Sequence, residues 1–98
     1  MKTSNTTQNK KLTVICIYSD DYGFLGVAKN YYSALHFLLK EDWISDKVEM
    51  YDDDNNITTI VDYLGYNWFD QQLSWTIEEF NDFWIGHYSL VKCDVFSI

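Results

Sequence analysis

The densest set of oxygen ligands in the chain lies in "EMYDDDNNITTIVDYLGYNWFD", Glu49 to Asp70. Asp52, Asp54 and Asn56 spell D-x-D-x-N, the opening of an EF-hand calcium loop, in which alternate side chains turn their oxygens toward one ion. The rest of the loop departs from that pattern. Its sixth position requires glycine for a sharp turn and is Ile57; its twelfth requires a bidentate glutamate and is Tyr63. Short polar side chains that end a strand and cap a helix account for the stretch better, with Asn55 or Asn56 as the cap. A weak calcium site over Asp52 to Asn56 stays as an alternative.

Softer chemistry has less material. Cys16, His36, His87 and Cys93 are the only soft metal ligands, and none of them forms the close C-x-x-C or H-x-x-x-H pair that zinc sites use. Each cysteine sits in an apolar run, and the surrounding negative charge opposes thiolate formation. The strands that carry the two cysteines are candidates to be neighbours. Gly23 and Gly26 are too sparse for a phosphate loop and no P-loop lysine follows them. No pair of carboxylates is singled out for acid–base work. The chain is therefore expected to be non-enzymatic and without a cofactor.

Charge narrows the class further. The 98 residues carry fifteen acids and seven lysines, with no arginine, for a net charge of −8. Lys2, Lys10 and Lys11 stand in an acid-free start, so Leu12 to Ile98 has four lysines against fifteen acids. Affinity for phosphates rests on Lys and Arg, so such a domain is expected to bind no nucleic acid. It is attracted instead to basic protein surfaces. Two cysteines make no disulfide scaffold, no secretory signal is visible, and no segment is long enough to span a bilayer. A cytosolic protein of a bacterial host, with free thiols and no membrane contact, is expected.

The elements that must position these residues follow from periodicity. Residues 1–11 read as a flexible polar arm and 12–98 as a single domain. "LTVICIYS" (Leu12 to Ser19) is apolar on both faces and reads as a central strand; "DDYG" is a turn, and "FLGVA" the returning strand. After Asn30 as N-cap, Tyr31, Ala34, Leu35 and Leu38 fall on one helical face, and that helix is expected to end near Asp42. A short strand is expected over Lys47 to Tyr51. Ile57, Ile60, Val61 and Leu64 repeat the helical spacing and stop at Gly65, so a helix is preferred there; the competing reading is a hairpin of "VEMY" and "ITTIV". "YNWFDQQLSW" holds a short helical turn. Thr76 and Glu79 form a capping box for a helix whose Ile77, Phe80 and Trp84 share a face. His87 to Ile98 is the final strand, expected to pair with the first. The class is α+β: a small antiparallel sheet of three to four strands with about three helices packed on one face.

The remaining signal is acids interleaved with aromatics. Asp20, Asp21 and Tyr22 form one group; Glu41, Asp42, Trp43 and Asp46 a second. Glu49, Tyr51, Asp52, Asp53 and Asp54 form a third; Trp68, Phe69 and Asp70 a fourth. Carboxylates spaced along a ridge can occupy a DNA-binding groove, and aromatic rings supply the anchors that dominate interface energy. The 13 residues expected to touch a partner are those of the four groups other than Asp46 and Phe69.

The last forty residues, with a short helix ending in glycine, then "TIEEFN", an aromatic and a final strand, resemble the tails of short proteins carried by bacterial phages and mobile elements. The small, acidic, cysteine-poor design as a whole is similar to anti-CRISPR and related anti-defence proteins. That group shares no common motif, so the resemblance implies a class and assigns no residue. It implies an inhibitor that binds the basic groove of a host nucleic-acid enzyme such as a Cas nuclease, by DNA mimicry or steric block. A homo-oligomeric adaptor built on exposed aromatics is the second expectation, and a small metal-binding protein the third. A monomer and a homodimer are both compatible with the sequence.

Overall fold

The computed structural model describes residues 11–96. The polar arm, apart from Lys11, and residues 97 and 98 lie outside the described residues. The fold is α+β, as expected: one three-stranded antiparallel sheet, one two-stranded sheet and four helices among the described residues. Strand β1 (Lys11–Ser19) is central, flanked by β2 (Gly23–Ala28) and β5 (Tyr88–Phe96) in the order β2-β1-β5. The first and last strands pair over nine residues, from Lys11↔Phe96 to Ser19↔Tyr88. Val14, Ile15 and Ile17 are β-branched and fit a strand bounded on both sides by neighbours.

The β1–β2 turn closes where the Ser19 hydroxyl accepts the backbone N–H groups of Asp21 and Tyr22, at 3.1 and 3.2 Å. Gly23 then takes φ 78, a left-handed value that favours glycine. The register shifts after Ile17, leaving Leu25 as an extra residue in β2. Through this bulge Leu25 packs on the core and the neighbouring Gly26 lies under the Phe37 ring.

Alternation along β1 separates two faces. Ile15, Ile17 and Ser19 point inward and are buried, as is Leu90 of β5. Helix α1 (Tyr31–Lys40) covers this side with Ala34, Leu35 and Leu38, all fully buried. Its N-cap is Asn30, whose side chain accepts the Ser33 N–H at 2.8 Å. The helix ends at Lys40 with Glu41 as C-cap, close to the expected Asp42, which turns left-handed at φ 60.

The segment after α1 divides differently from the preferred sequence reading. Instead of one helix with Ile57 on its core face, Glu49–Tyr51 (β3) and Ile57–Thr59 (β4) form a hairpin, and a five-residue helix α2 (Ile60–Leu64) follows directly. Ile57 is 66% exposed; Ile60 is the residue that reaches the core. The cap is Thr59, accepting the Asp62 N–H at 3.3 Å, and neither Asn55 nor Asn56 caps a helix. The physical reason is the turn. Asp52 accepts backbone N–H groups from Asp54 and Asn56 through one carboxylate oxygen, at 3.0 and 2.9 Å. Asn55 adopts φ 64, which Asn tolerates, and β-branched Ile57, Thr58 and Thr59 then pair with β3.

Helix α3 (Trp68–Leu73) and helix α4 (Ile77–Phe83) complete the layer over the sheet. The Thr76–Glu79 capping box is present, at 3.1 and 2.8 Å. Beneath these helices Trp84 is fully buried, and its indole N–H donates to the Gln72 side-chain oxygen at 2.9 Å. Gln72, itself buried, donates to the Trp68 carbonyl, and its own carbonyl accepts the Tyr31 hydroxyl at 2.6 Å. One glutamine thus satisfies the polar atoms of two rings that the core would otherwise strand.

Candidate protein-binding surface

The structure brings the first two acid–aromatic groups together. Tyr22, 74% exposed in the β1–β2 turn, lies 5.4 Å from the Trp43 ring just past α1. The chain arrives there because β2 leads away from the turn and α1 returns, with Phe37 over Gly26 and Trp43 against Tyr22, which brings Glu41 and Asp42 to the turn end of the sheet. Tyr88, opposite Ser19 at the start of β5, donates its hydroxyl to the Trp43 carbonyl. Burial, and then the charge of Asp21, push the Tyr88 hydroxyl above its ordinary pKa. The Asp20 N–H donates to the His87 carbonyl at 2.9 Å, which fixes the turn against the start of β5.

The third group joins through His87. A cleft of about 180 Å³ is lined by Glu49, Met50, Tyr51, Ile57 and His87, so the β3–β4 hairpin abuts the same end. Ligand pockets start at roughly 300 Å³, so this cleft is small for a cofactor. Asp20, Asp21, Glu41, Asp42 and Glu49 are exposed there, with Lys40 at the end of α1 and Lys47 on the segment that follows. The single ion pair among the described residues, Lys11 to Asp94 at 3.6 Å, lies elsewhere on the β1–β5 ribbon.

Asp52 and Asp53 have structural employment. Asp52 holds the hairpin turn, and Asp53 accepts the Tyr63 hydroxyl at 2.9 Å, tying the tip to α2. This bond to Asp53 is the main reason the Tyr63 hydroxyl is raised above its usual pKa. Asp54 alone of the three has an exposed carboxylate without a turn or side-chain bond in the structure. No group of three His, Cys, Asp or Glu side chains among the described residues is arranged to hold a metal ion.

The fourth group does not join the others. Trp68 and Phe69 are half-buried against the core, and the Phe69 ring meets His36 at 5.4 Å, which in turn contacts the Tyr32 ring at 4.4 Å in a tilted arrangement. Asp70 is exposed beside them on α3. Trp43 is likewise half-buried, so Tyr22 and Tyr51 are the freely exposed rings of the acidic end.

A second surface went unread in the sequence. Opposite the helices, β1 shows Leu12, Val14, Cys16 and Tyr18, and no described element packs over them. Cys16 and Cys93 sit side by side on this face, with 3.4 Å between sulfurs. The hydrogen bond to Cys93, then burial, raise the Cys16 thiol above its ordinary pKa. The alternation of β1 carried this signal, since both of its faces are apolar, but a sheet with helices on one side buries only one of them.

No helix among the described residues is long and apolar enough to cross a membrane. The chain matches no family model, and no curated protein or solved structure shows significant similarity to it.

Proposed function

We propose that this chain is a non-enzymatic inhibitor of the phage or mobile-element anti-defence kind, whose acidic end occupies the basic nucleic-acid groove of a host nuclease or similar enzyme. The observation that supports this reading best is convergence. Asp20 and Asp21, Glu41 and Asp42, and Glu49 come from three separate segments to one end of the molecule, with exposed Tyr22 and Tyr51 among them. Charges so placed raise the encounter rate with a basic groove, and the two tyrosines offer packing anchors.

The test is a titration of the chain against purified nucleic-acid enzymes of bacterial defence, Cas nucleases first, by calorimetry at several salt concentrations. One-to-one binding that weakens with salt and is displaced by DNA or guide RNA is the expected result. Binding that ignores both salt and nucleic acid would refute the groove reading. The acidic tip gives a finer test. Asp52→Asn, Asp53→Asn and Asp54→Asn together keep the turn's acceptor oxygens while removing three charges. Unchanged affinity in that variant assigns those aspartates to the hairpin alone.

A further inference from the structure

We infer that the open face of the three-stranded sheet is the interface of a homodimer, sheet packed on sheet. Leu12, Phe24, Val27, Val91 and Val95 project from the three strands on this side and are between 44% and 58% exposed. Between them lie half-buried Val14, Cys16 and Cys93, with the Tyr18 and Phe24 rings in edge contact at 5.7 Å. The face bears no charged side chain on any of its three strands: Lys11, Lys92 and Asp94 fall on the alternate positions, facing the helix side. In so acidic a chain this neutrality is local and specific.

Three observations favour a second copy as the occupant. First, exposed apolar side chains span the whole width of the face, Phe24 and Val27 on β2, Leu12 on β1, Val91 and Val95 on β5, the breadth that a sheet-on-sheet contact uses. Second, an uncharged face is self-complementary: a two-fold contact opposes the same side chains without opposing like charges. A basic partner, by contrast, is drawn to the acidic end. Third, association by the sheet's β5 edge is blunted. The Asn81 side chain bonds both backbone groups of Leu90, at 2.9 and 2.8 Å, and Lys92 and Asp94 stand along the remainder of that edge. With the β5 edge guarded and no described element over the face, packing of aligned sheets about 10 Å apart is the mode this surface offers.

Sedimentation velocity of the full chain across micromolar to millimolar concentration, under reducing conditions, tests this. A reversible monomer–dimer equilibrium is expected, tightening with added salt because each copy carries a net charge of −8. Val91→Glu and, separately, Val27→Lys place a charge on the exposed face and should weaken dimerisation at least tenfold. Asp20→Asn with Asp21→Asn, at the acidic end, should leave the dimer intact. Alkylation of Cys16 and Cys93 by iodoacetamide supplies an independent readout on the unmutated chain, slowing as concentration rises, so the test stands even if one variant misfolds. A chain that stays monomeric to millimolar concentration, or a dimer that survives both face variants with unprotected cysteines, overturns the proposal.

Discussion

The acidic end and the sheet face opposite the helices are built in opposite ways, the one charged and exposed, the other uncharged and apolar. The acidic end is assembled from loops: the β1–β2 turn, the segment after α1 and the β3–β4 hairpin, held by Tyr22 on Trp43 and Tyr88 on the Trp43 carbonyl. The sheet face is assembled from one regular element, fixed by a nine-residue register. The first attracts at a distance and is screened by salt; the second acts only in contact and depends on apolar area. Their salt responses should therefore have opposite signs. Affinity for a basic groove falls as salt rises, while self-association strengthens.

The largest expected effect breaks the comparison altogether. Leu38→Ala empties a fully buried position of α1 in the core it forms with the sheet, at a cost of about 2–5 kcal/mol. Both surfaces rest on that packing, so both binding activities should fail together, with a lowered chemical denaturation midpoint. If one surface kept full activity in an otherwise unfolded variant, the shared-core account would be wrong. The next effect separates the surfaces. Replacing Asp20, Asp21, Glu41 and Asp42 by Asn or Gln should lower affinity for a basic partner by about 100-fold at low salt, since each rim charge contributes modestly and they act on one groove. The same variant should show an unchanged thermal midpoint, because none of these side chains is buried. An undiminished affinity would place the partner contact elsewhere.

Sequence and structure diverge in an instructive way at the hairpin. The helix α1 and the α4 capping box were legible because each combines a cap with an unbroken apolar face: Asn30 before Ala34, Leu35 and Leu38, and Thr76 with Glu79 before Phe80 and Trp84. Ile57, Ile60, Val61 and Leu64 have the same spacing, yet only the last three lie on a helix. The deciding facts are local turn chemistry, the two N–H groups held by Asp52 and the left-handed Asn55, which periodicity does not register. The acid–aromatic groups were readable one by one. Their convergence was not, because it depends on bonds between distant segments: His87 holds Asp20 of the turn, and Tyr88 holds Trp43, 45 residues before it. Gln72 was invisible for a related reason: the second glutamine of "DQQL" reads as surface like the first until Trp84 is known to need its oxygen.

That turn chemistry gives a smaller effect that sharpens the account of the acidic tip. Asp52→Ala removes the acceptor of two backbone N–H groups and should destabilise the chain by about 1 kcal/mol, as a lost capping-type contact does. Asp52→Asn keeps an oxygen in place and should be nearly neutral. Equal losses in both, measured by urea denaturation, would mean that the charge rather than the hydrogen bonds stabilises the hairpin.

The smallest effect is alkaline and reports on the packing behind both surfaces. The Tyr31 hydroxyl donates to the Gln72 carbonyl and is pushed up to about 12, first by burial and then by the charge of Glu79. In the unfolded chain a tyrosine ionises near pH 10. Below pH 10 both states hold the proton and the contribution is complete. Between pH 10 and about 12 the unfolded chain releases its proton while the folded one retains it, so stability declines as pH rises. Tyr88 shifts in the same direction and adds to that decline. Tyr31→Phe should therefore lower stability at neutral pH and flatten the fall above pH 10, followed by urea midpoints across the range. Asp21→Asn bears on Tyr88 alone: with one charge gone from the acidic end, its hydroxyl should ionise at lower pH, while Tyr31, answering to Glu79, stays where it was. A Tyr31 that moved with Asp21 would mean that the field of the acidic end reaches through the core, and the two regions could no longer be treated as separate.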